Sequence, residues 1–317
     1  MKTPSAFSLL SLRLHEWDIR IESDGPKFPS VLCSFLPDYG NRIPAPKTNL
    51  KKIIRLYFRE HEPCAEGDTL NDRYDIPRWG ISRRVDYEKE EIRVWCRRKN
   101  ALPDMTYYHQ GFLTPLSFLV RQFGTSLIHA ALLEKKGQGI LIAGPSGTGK
   151  STLSVACLED GFRYYSDEHP LLAMDRRGRI TGKSFWNSVG LPPAGFRNFP
   201  GLKGKAVWSG AHRKYELDPG SVWPDCLGVS CTIQKVVFPV FRTKTGFKAR
   251  RLNAGEFLGR LLRDDYFYSE RRNPKRLALS RRHFELMTEL VRTTAGFAVE
   301  YGPRDIPRMP LLLENLS

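Results

Sequence analysis

The sequence predicts an α/β protein: a glycine-loop core preceded by a β-rich N-terminal region. Three observations predict it. An apolar run, Ile140-Leu141-Ile142-Ala143, feeds a glycine-rich loop and is followed by helix-compatible residues from Thr152 to Leu158. Alternating apolar and polar residues recur through the first hundred positions, the period of half-buried strands. Past residue 254 the spacing changes to that of helices, over Ala254 to Arg263 and His283 to Val291.

From the N-terminus, Leu10-Ser11-Leu12-Arg13-Leu14 and Trp17-Asp18-Ile19-Arg20-Ile21 alternate as strands. Gly25-Pro26, Pro37-Asp38-Tyr39-Gly40 and Ile43-Pro44-Ala45-Pro46 punctuate turns. Glu60 to Arg84 reads as a long ordered excursion or a mobile loop, and Glu91 to Trp95 as a further strand. Residues 1–112 form the expected N-terminal region and 113–317 the core domain. Thr114 to Phe123 fits a buried helix with Pro115 in its first turn. Two apolar runs, Ser126 to Leu133 and Ile140 to Ala143, flank Lys135-Lys136-Gly137-Gln138-Gly139 and predict an antiparallel hairpin.

Gly161 suits the position just past the helix that follows the glycine loop. Phe162 to Ser166 is a short strand ending at Asp167, and Leu171 to Met174 pairs with Arg179-Ile180 as a hairpin. Gly190 to Gly210, rich in glycine and proline, reads as a long loop. Val236 to Val240 and Ala298 to Tyr301 are strands, and Ile306 to Leu316 is a terminal helix.

Composition excludes several classes. Hydrophobic residues are 41% and charged residues 26%, enough apolar material for a sizeable core. No apolar run approaches the roughly 20 residues that cross a bilayer, and Ser8 to Leu12 is too short for a signal-peptide core. A cytoplasmic protein with no membrane partner is expected. The six cysteines are scattered without zinc-ligand spacing, so buried thiols are expected instead of a metal centre. A net charge of +16 draws anions without choosing among them.

The motif Gly144-Pro145-Ser146-Gly147-Thr148-Gly149-Lys150-Ser151 matches GxxxxGK[ST] in full. Its glycines let backbone N–H groups converge on phosphate oxygens, and the following helix, with Thr152 in its first turn, adds its positive end. Lys150 is expected at the β- and γ-phosphates of a nucleotide and Ser151 at Mg²⁺. Asp167, 17 residues after Lys150, ends the next strand, where ligands of open sheets gather. A carboxylate there suits a metal ligand or a general base. Glu168, next to it on an extended backbone, would point the other way. His129, among apolar neighbours, reads on its own as a core residue.

Taken together, His129-Ala130-Ala131, Gly139 to Thr152 and Gly161 to Glu168 resemble the catalytic domain of the HPr kinase/phosphorylase family. That family shows a histidine, a hairpin into the glycine loop, a short helix, a glycine and a strand ending in two acidic residues. It shares its fold with phosphoenolpyruvate carboxykinases. The resemblance covers about residues 113–175 and extends toward the C-terminus through Lys214 to Pro219 and Val236 to Val240. It implies an ATP- and Mg²⁺-dependent serine kinase in which Asp167 is the general base, His129 assists, Ser151, Asp167 and Glu168 meet the metal, and Lys214 is a candidate cation for phosphate. It also implies a homo-oligomer.

The chain departs from the family pattern at two places. Glu168 stands where the family has aspartate, and Gly182-Lys183-Ser184-Phe185-Trp186-Asn187-Ser188 replaces its glycine-rich signature. The chain therefore reads as a divergent relative. Members of that wider group phosphorylate a serine of a precursor peptide of ribosomal natural products; others act on small hydroxylated molecules. The expected function is a kinase for a serine of a peptide or protein. A small-molecule hydroxyl kinase is the alternative. A third reading, a nucleotide-dependent nucleic-acid binder, rests on Arg271-Arg272, Lys275-Arg276 and Arg281-Arg282. That run lacks the interleaved aromatics of single-strand readers.

Overall fold

The computed structural model describes residues 8–25, 27–36, 52–59, 72–76, 80–96, 104–185, 188–210, 212–243, 246–263 and 274–317. The turn signals at 37–40 and 43–46, most of the 60–84 excursion, Cys64, and the Arg271-Arg272 pair lie outside the described residues. The chain divides into two compact units, Met1–Phe123 with Ser269–Ser280, and Gly124–Tyr268 with Arg281–Ser317.

The first unit holds a six-stranded mixed sheet in the order β1-β2-β3-β6-β5-β4. Its strands are β1 (Ser8–Leu14), β2 (Trp17–Ser23), β3 (Lys52–Arg59), β4 (Asp72–Ile76), β5 (Ile81–Asp86) and β6 (Glu91–Cys96). The alternation of Trp17, Ile19 and Ile21, matched by Ile54, Leu56 and Phe58, buries one face. The short helix α1 (Lys27–Phe35) covers part of that face, with Phe28 stacked on Phe58 at 4.0 Å between ring centroids. The expected helix from Thr114 is present as α2 (Thr114–Arg121), but helical chain begins earlier, with a π-helical segment Tyr107–Leu113 leading into it. The junction expected between residues 112 and 113 falls within this helical stretch. Periodicity misses the segment because a π turn does not repeat every 3.6 residues.

The second unit is built on a mixed sheet. Its path runs β10-β8-β9-β16-β12-β11-β7, with β18 also pairing β16 and β17 pairing β18. The hairpin of β8 (Ala130–Lys135) and β9 (Gln138–Ala143) forms where expected, turning at Lys136 and Gly137, both at positive φ. The apolar run before it is not one strand. It splits at Ile128 and His129 into β7 (Thr125–Leu127), which pairs β11 (Leu171–Met174), and β8, which pairs β9 and β10 (Arg163–Ser166). Runs of buried residues do not distinguish one strand from two that part company, because both read as continuously apolar.

β9 lies parallel to the 12-residue strand β16 (Ser230–Phe241), and β16 lies parallel to β18 (Ala295–Tyr301). Beyond β9, the helix α3 (Lys150–Glu159) follows the glycine loop and ends at Gly161, whose φ of 78° closes the last turn. β11 and β12 (Ile180–Lys183) form the expected hairpin.

The region read as a long loop is ordered into a second, three-stranded sheet. β13 (Val189–Leu191), β15 (Lys214–Leu217) and β14 (Val207–Ser209) pair in that order, with the one-turn helix α4 (Pro193–Phe196) following β13 in the chain. Glycine and proline punctuate its turns, and each strand is too short to register as a period. On the core, α5 (Ala254–Arg263) and α6 (Pro274–Thr293) contribute Phe257, Leu261, Leu286, Met287 and Leu290 to a cluster with Leu141, Val236 and Phe238. After β17 (Lys248–Arg251) and β18, the chain ends in α7 (Met309–Glu314), which packs on α3. No described helix is long and apolar enough to cross a membrane.

Candidate active site

The glycine loop is a tight wrap whose geometry glycine alone supplies cheaply. Gly147 and Gly149 sit at φ of 86° and 97°, in the region costly for residues with a Cβ. Within the loop the Thr148 hydroxyl donates to the Pro145 carbonyl at 2.9 Å. The Lys150 ammonium, 7% exposed, donates to the carbonyls of Gly144 at 2.7 Å and Pro145 at 3.1 Å. The loop thus holds its own cation, with Ser151 and Thr152 in the first turn of α3.

Tyr301, at the end of β18, braces the loop from the far side of the sequence. Its hydroxyl donates toward the Thr148 and Gly149 carbonyls at 3.4 and 3.5 Å. A Cβ placed on Gly149 would lie 1.8 Å from that hydroxyl. The parallel register of β18 on β16 brings Tyr301 opposite Phe241 at the C-terminal ends of both strands, beside the loop that leaves β9.

Opposite the loop, Ser166 ends β10 and turns the chain. Its hydroxyl accepts from the backbone N–H of His169 at 3.0 Å and of Glu168 at 3.4 Å. The expectation that Glu168 points away from Asp167 fails for this reason: the backbone bends after Ser166, and both carboxylates line one cavity. The carbonyl of Glu168 accepts from Ala130 N–H at 3.0 Å, and that of Pro170 from Ile128 N–H at 3.3 Å. These two bonds set His129 beside the acidic pair, with its ring 5.8 Å from that of His169.

Asp167 is 2% exposed. Burial pushes its carboxyl up from 3.8 to about 6; hydrogen bonds from Ser151 and Ser154 and the charge of Lys214 pull back, while Glu168 pushes the same way as burial. The Ser154 hydroxyl lies 2.7 Å from Oδ1. Ser154 follows Lys150 by one helical turn, so both project from one face of α3.

These groups share a cavity of about 430 Å³. His129, Ser146, Gly147, Gly149, Lys150, Ser151, Thr152, Asp167, Glu168 and Lys214 of the sequence-derived candidates line it. Gly144, Pro145 and Thr148 are in the loop without lining the cavity wall. Lys214 reaches it from β15. Gly190, Pro192, Ala194, Gly195 and Asn198 also line it, together with Phe241, Tyr301 and Ile306. Sequence reasoning missed those eight and Ser154. Only Ser154 carried a signal, its spacing from Lys150. Ser151, Asp167 and Glu168 are hard oxygen donors in one place, the donor chemistry Mg²⁺ prefers.

Of the basic run, Arg281 and Arg282 are exposed on α6, with Arg281 paired to Glu285 at 3.0 Å.

The model of the ScmC family, described as SynChlorMet cassette protein ScmC, matches residues 94–187, less than a third of the chain. The match spans His129, the glycine loop and the acidic pair. Curated proteins give no match. Among solved structures the chain is similar to the HPr(Ser) kinase/phosphatase from Coxiella burnetii. The two are 14% identical over 60% of this chain and 93% of that one, with a TM-score of 0.32. At that score the likeness transfers no activity.

Proposed function

We propose that this chain is an ATP-dependent kinase that transfers the γ-phosphate to a serine hydroxyl of a peptide or protein, with Mg²⁺ held by Ser151, Asp167 and Glu168. The observation that supports it is one cavity in which a buried lysine, the start of a helix and a buried carboxylate converge.

The backbone N–H groups of the loop and the first turn of α3 cradle the polyphosphate. Lys150 exchanges its bonds to the Gly144 and Pro145 carbonyls for the β- and γ-phosphate oxygens. Asp167, held by Ser154, accepts the proton of the acceptor hydroxyl; a carboxyl near 6 is ionised at neutral pH yet basic enough to take that proton. The acceptor oxygen bonds to the γ-phosphorus, the bond to the β–γ bridging oxygen breaks, and ADP leaves. Lys150 and Lys214 balance charge on the transferred group. Bound Mg²⁺ supplies neutralisation of the phosphate oxygens. His129, at the edge of the acidic pair, orients it.

The test is turnover of γ-labelled ATP with Mg²⁺, with and without serine-containing peptides encoded near this chain. Label on a peptide, lost in Lys150→Ala and Asp167→Asn, supports the reading. Transfer retained by Asp167→Asn removes the general base. ATP consumed without any labelled peptide shifts the acceptor to a small hydroxylated molecule, and no ATP binding ends the kinase reading.

A further inference from the structure

The three-stranded sheet beside the cavity has a free edge. Among the described residues, β14 is its outermost strand, paired only to β15, with Val207 opposite Glu216, Trp208 opposite Tyr215 and Ser209 opposite Lys214. Edge strands present unpaired backbone donors and acceptors, and proteins usually blunt them with short length, charge, proline or cover; β14 is short, at three residues. Here the strand shows Val207 74% exposed and Trp208 48% exposed. Trp208 packs edge-on against Tyr215 at 5.0 Å, and Tyr215 stacks on Phe196 at 4.3 Å, so three aromatics make a continuous platform.

The charge around this edge is one-sided. Between residues 188 and 217 the chain carries Arg197, Lys203, Lys205, Arg213 and Lys214 against a single acid, Glu216, itself paired to His212. Arg197, Lys203, Lys205 and Arg213 are at least partly exposed. Lys214, opposite Ser209 on the ladder, lines the cavity that holds Lys150 and Asp167. The edge therefore joins the candidate site through a single strand.

We infer that β14 docks an acidic peptide segment as an added strand, its backbone pairing with the free edge, its carboxylates meeting Lys203, Lys205 and Arg213, and its side chains resting on Trp208. This deepens the kinase reading and rests on it, because the docked segment is the acceptor. Strand addition takes its affinity from main-chain hydrogen bonds and its selectivity from alternate side chains. A strand outside β14 would run about 10 Å from β15. At roughly 3.3 Å per residue, three or four positions beyond the paired stretch span about that distance, the separation an acceptor serine has to cover.

The experiment uses three fluorescein-labelled 12-residue peptides and the full chain, read by anisotropy without ATP. One peptide carries a serine among four glutamates. The second has lysines in place of the glutamates. The third is the first with alternate backbone nitrogens methylated, which removes strand pairing and leaves charge untouched. The glutamate peptide should bind at least tenfold more tightly than either of the others. Trp208→Ala and the double variant Lys203→Glu/Lys205→Glu should each weaken it about tenfold or more, with binding of a fluorescent ATP analogue unchanged.

Equal binding of the glutamate and lysine peptides overturns the charge assignment. An unaffected N-methylated peptide overturns strand addition. Displacement of the glutamate peptide by an equal concentration of 12-nucleotide single-stranded DNA makes the surface a general polyanion patch and overturns the proposal. Docking that passes all three comparisons, with no phosphate transferred to the bound peptide once ATP and Mg²⁺ are added, supports the docking edge and removes the peptide as acceptor. ATP turnover on another acceptor, with no affinity for the glutamate peptide, does the reverse.

Discussion

Replacing Asp167 with asparagine should stabilise the protein while ending phosphate transfer. The native state holds this carboxyl at about 6 against 3.8 in the unfolded chain, chiefly because it is buried. A raised acid means that the native state binds the proton more tightly. Stability on this account is full below about 3.8 and is lost as pH rises through about 6. At neutral pH and above, ionised Asp167 costs the apo protein roughly 3 kcal/mol, since each pH unit is worth about 1.4 kcal/mol. Asparagine keeps an oxygen that accepts from the Ser154 hydroxyl and carries no charge to desolvate.

Thermal melts of wild type and Asp167→Asn without nucleotide or metal, at pH 8 and at pH 4, measure this directly. The variant should gain up to about 3 kcal/mol at pH 8, or roughly 6 to 12 °C for a unit of this size. The gain should vanish near pH 4, where both proteins carry a neutral side chain. Mg²⁺ should narrow the gap by raising the wild type more than the variant, which keeps Ser151 and Glu168 but lacks the Asp167 charge. A variant no more stable than wild type at pH 8, or a gain of the same size at both pH values, would falsify the claim that ionised Asp167 is held at a cost. Sites that gain stability when disabled are the usual sign of a group held for chemistry.

Lys150→Ala should lose transfer by about 100-fold or more, the scale of removing one preorganised charge partner, in the labelled-ATP assay. The kcat/KM profile should fall tenfold per pH unit below about 6 as Asp167 protonates in the free enzyme. Glu168→Gln should move that acidic limb to lower pH, because Glu168 helps to hold the Asp167 proton; an unmoved limb separates the two carboxylates electrostatically. Gly149→Ala should lose ATP-analogue binding, since its Cβ meets the Tyr301 hydroxyl and its φ is 97°. Adding Tyr301→Phe should restore only part, because the backbone strain, on the order of 1–3 kcal/mol, remains. Full rescue, read by the same binding assay, would place the whole defect in the clash.

The hairpin of β8 and β9, the glycine loop, α3 and the end of β10 are all legible in the sequence. Each is local, and its apolar runs, glycines and capping residues lie within a few positions of one another. Candidates His129, Lys150, Ser151, Asp167 and Glu168 come together in one cavity for the same reason, being separated by fewer than 40 residues on consecutive elements. The failures have physical causes as well. The π-helical segment has no 3.6-residue period, and the strands of the small sheet are three or four residues long. An extended backbone would turn Glu168 away from Asp167, and the Ser166 hydroxyl bends that backbone instead.

The amino-acid sequence by itself determined the glycine loop and the expectation that it binds phosphate, because that expectation rests on backbone N–H groups, three glycines and one lysine set by adjacent residues. Only the tertiary structure decided what faces the loop. Tyr301 comes from 153 positions beyond Thr148 through the parallel pairing of β18 with β16, and Lys214 comes from a strand of a separate small sheet. The acidity of Asp167 also belongs to this class, since burial is a property of the packed surroundings and no spacing of residues along the chain records it.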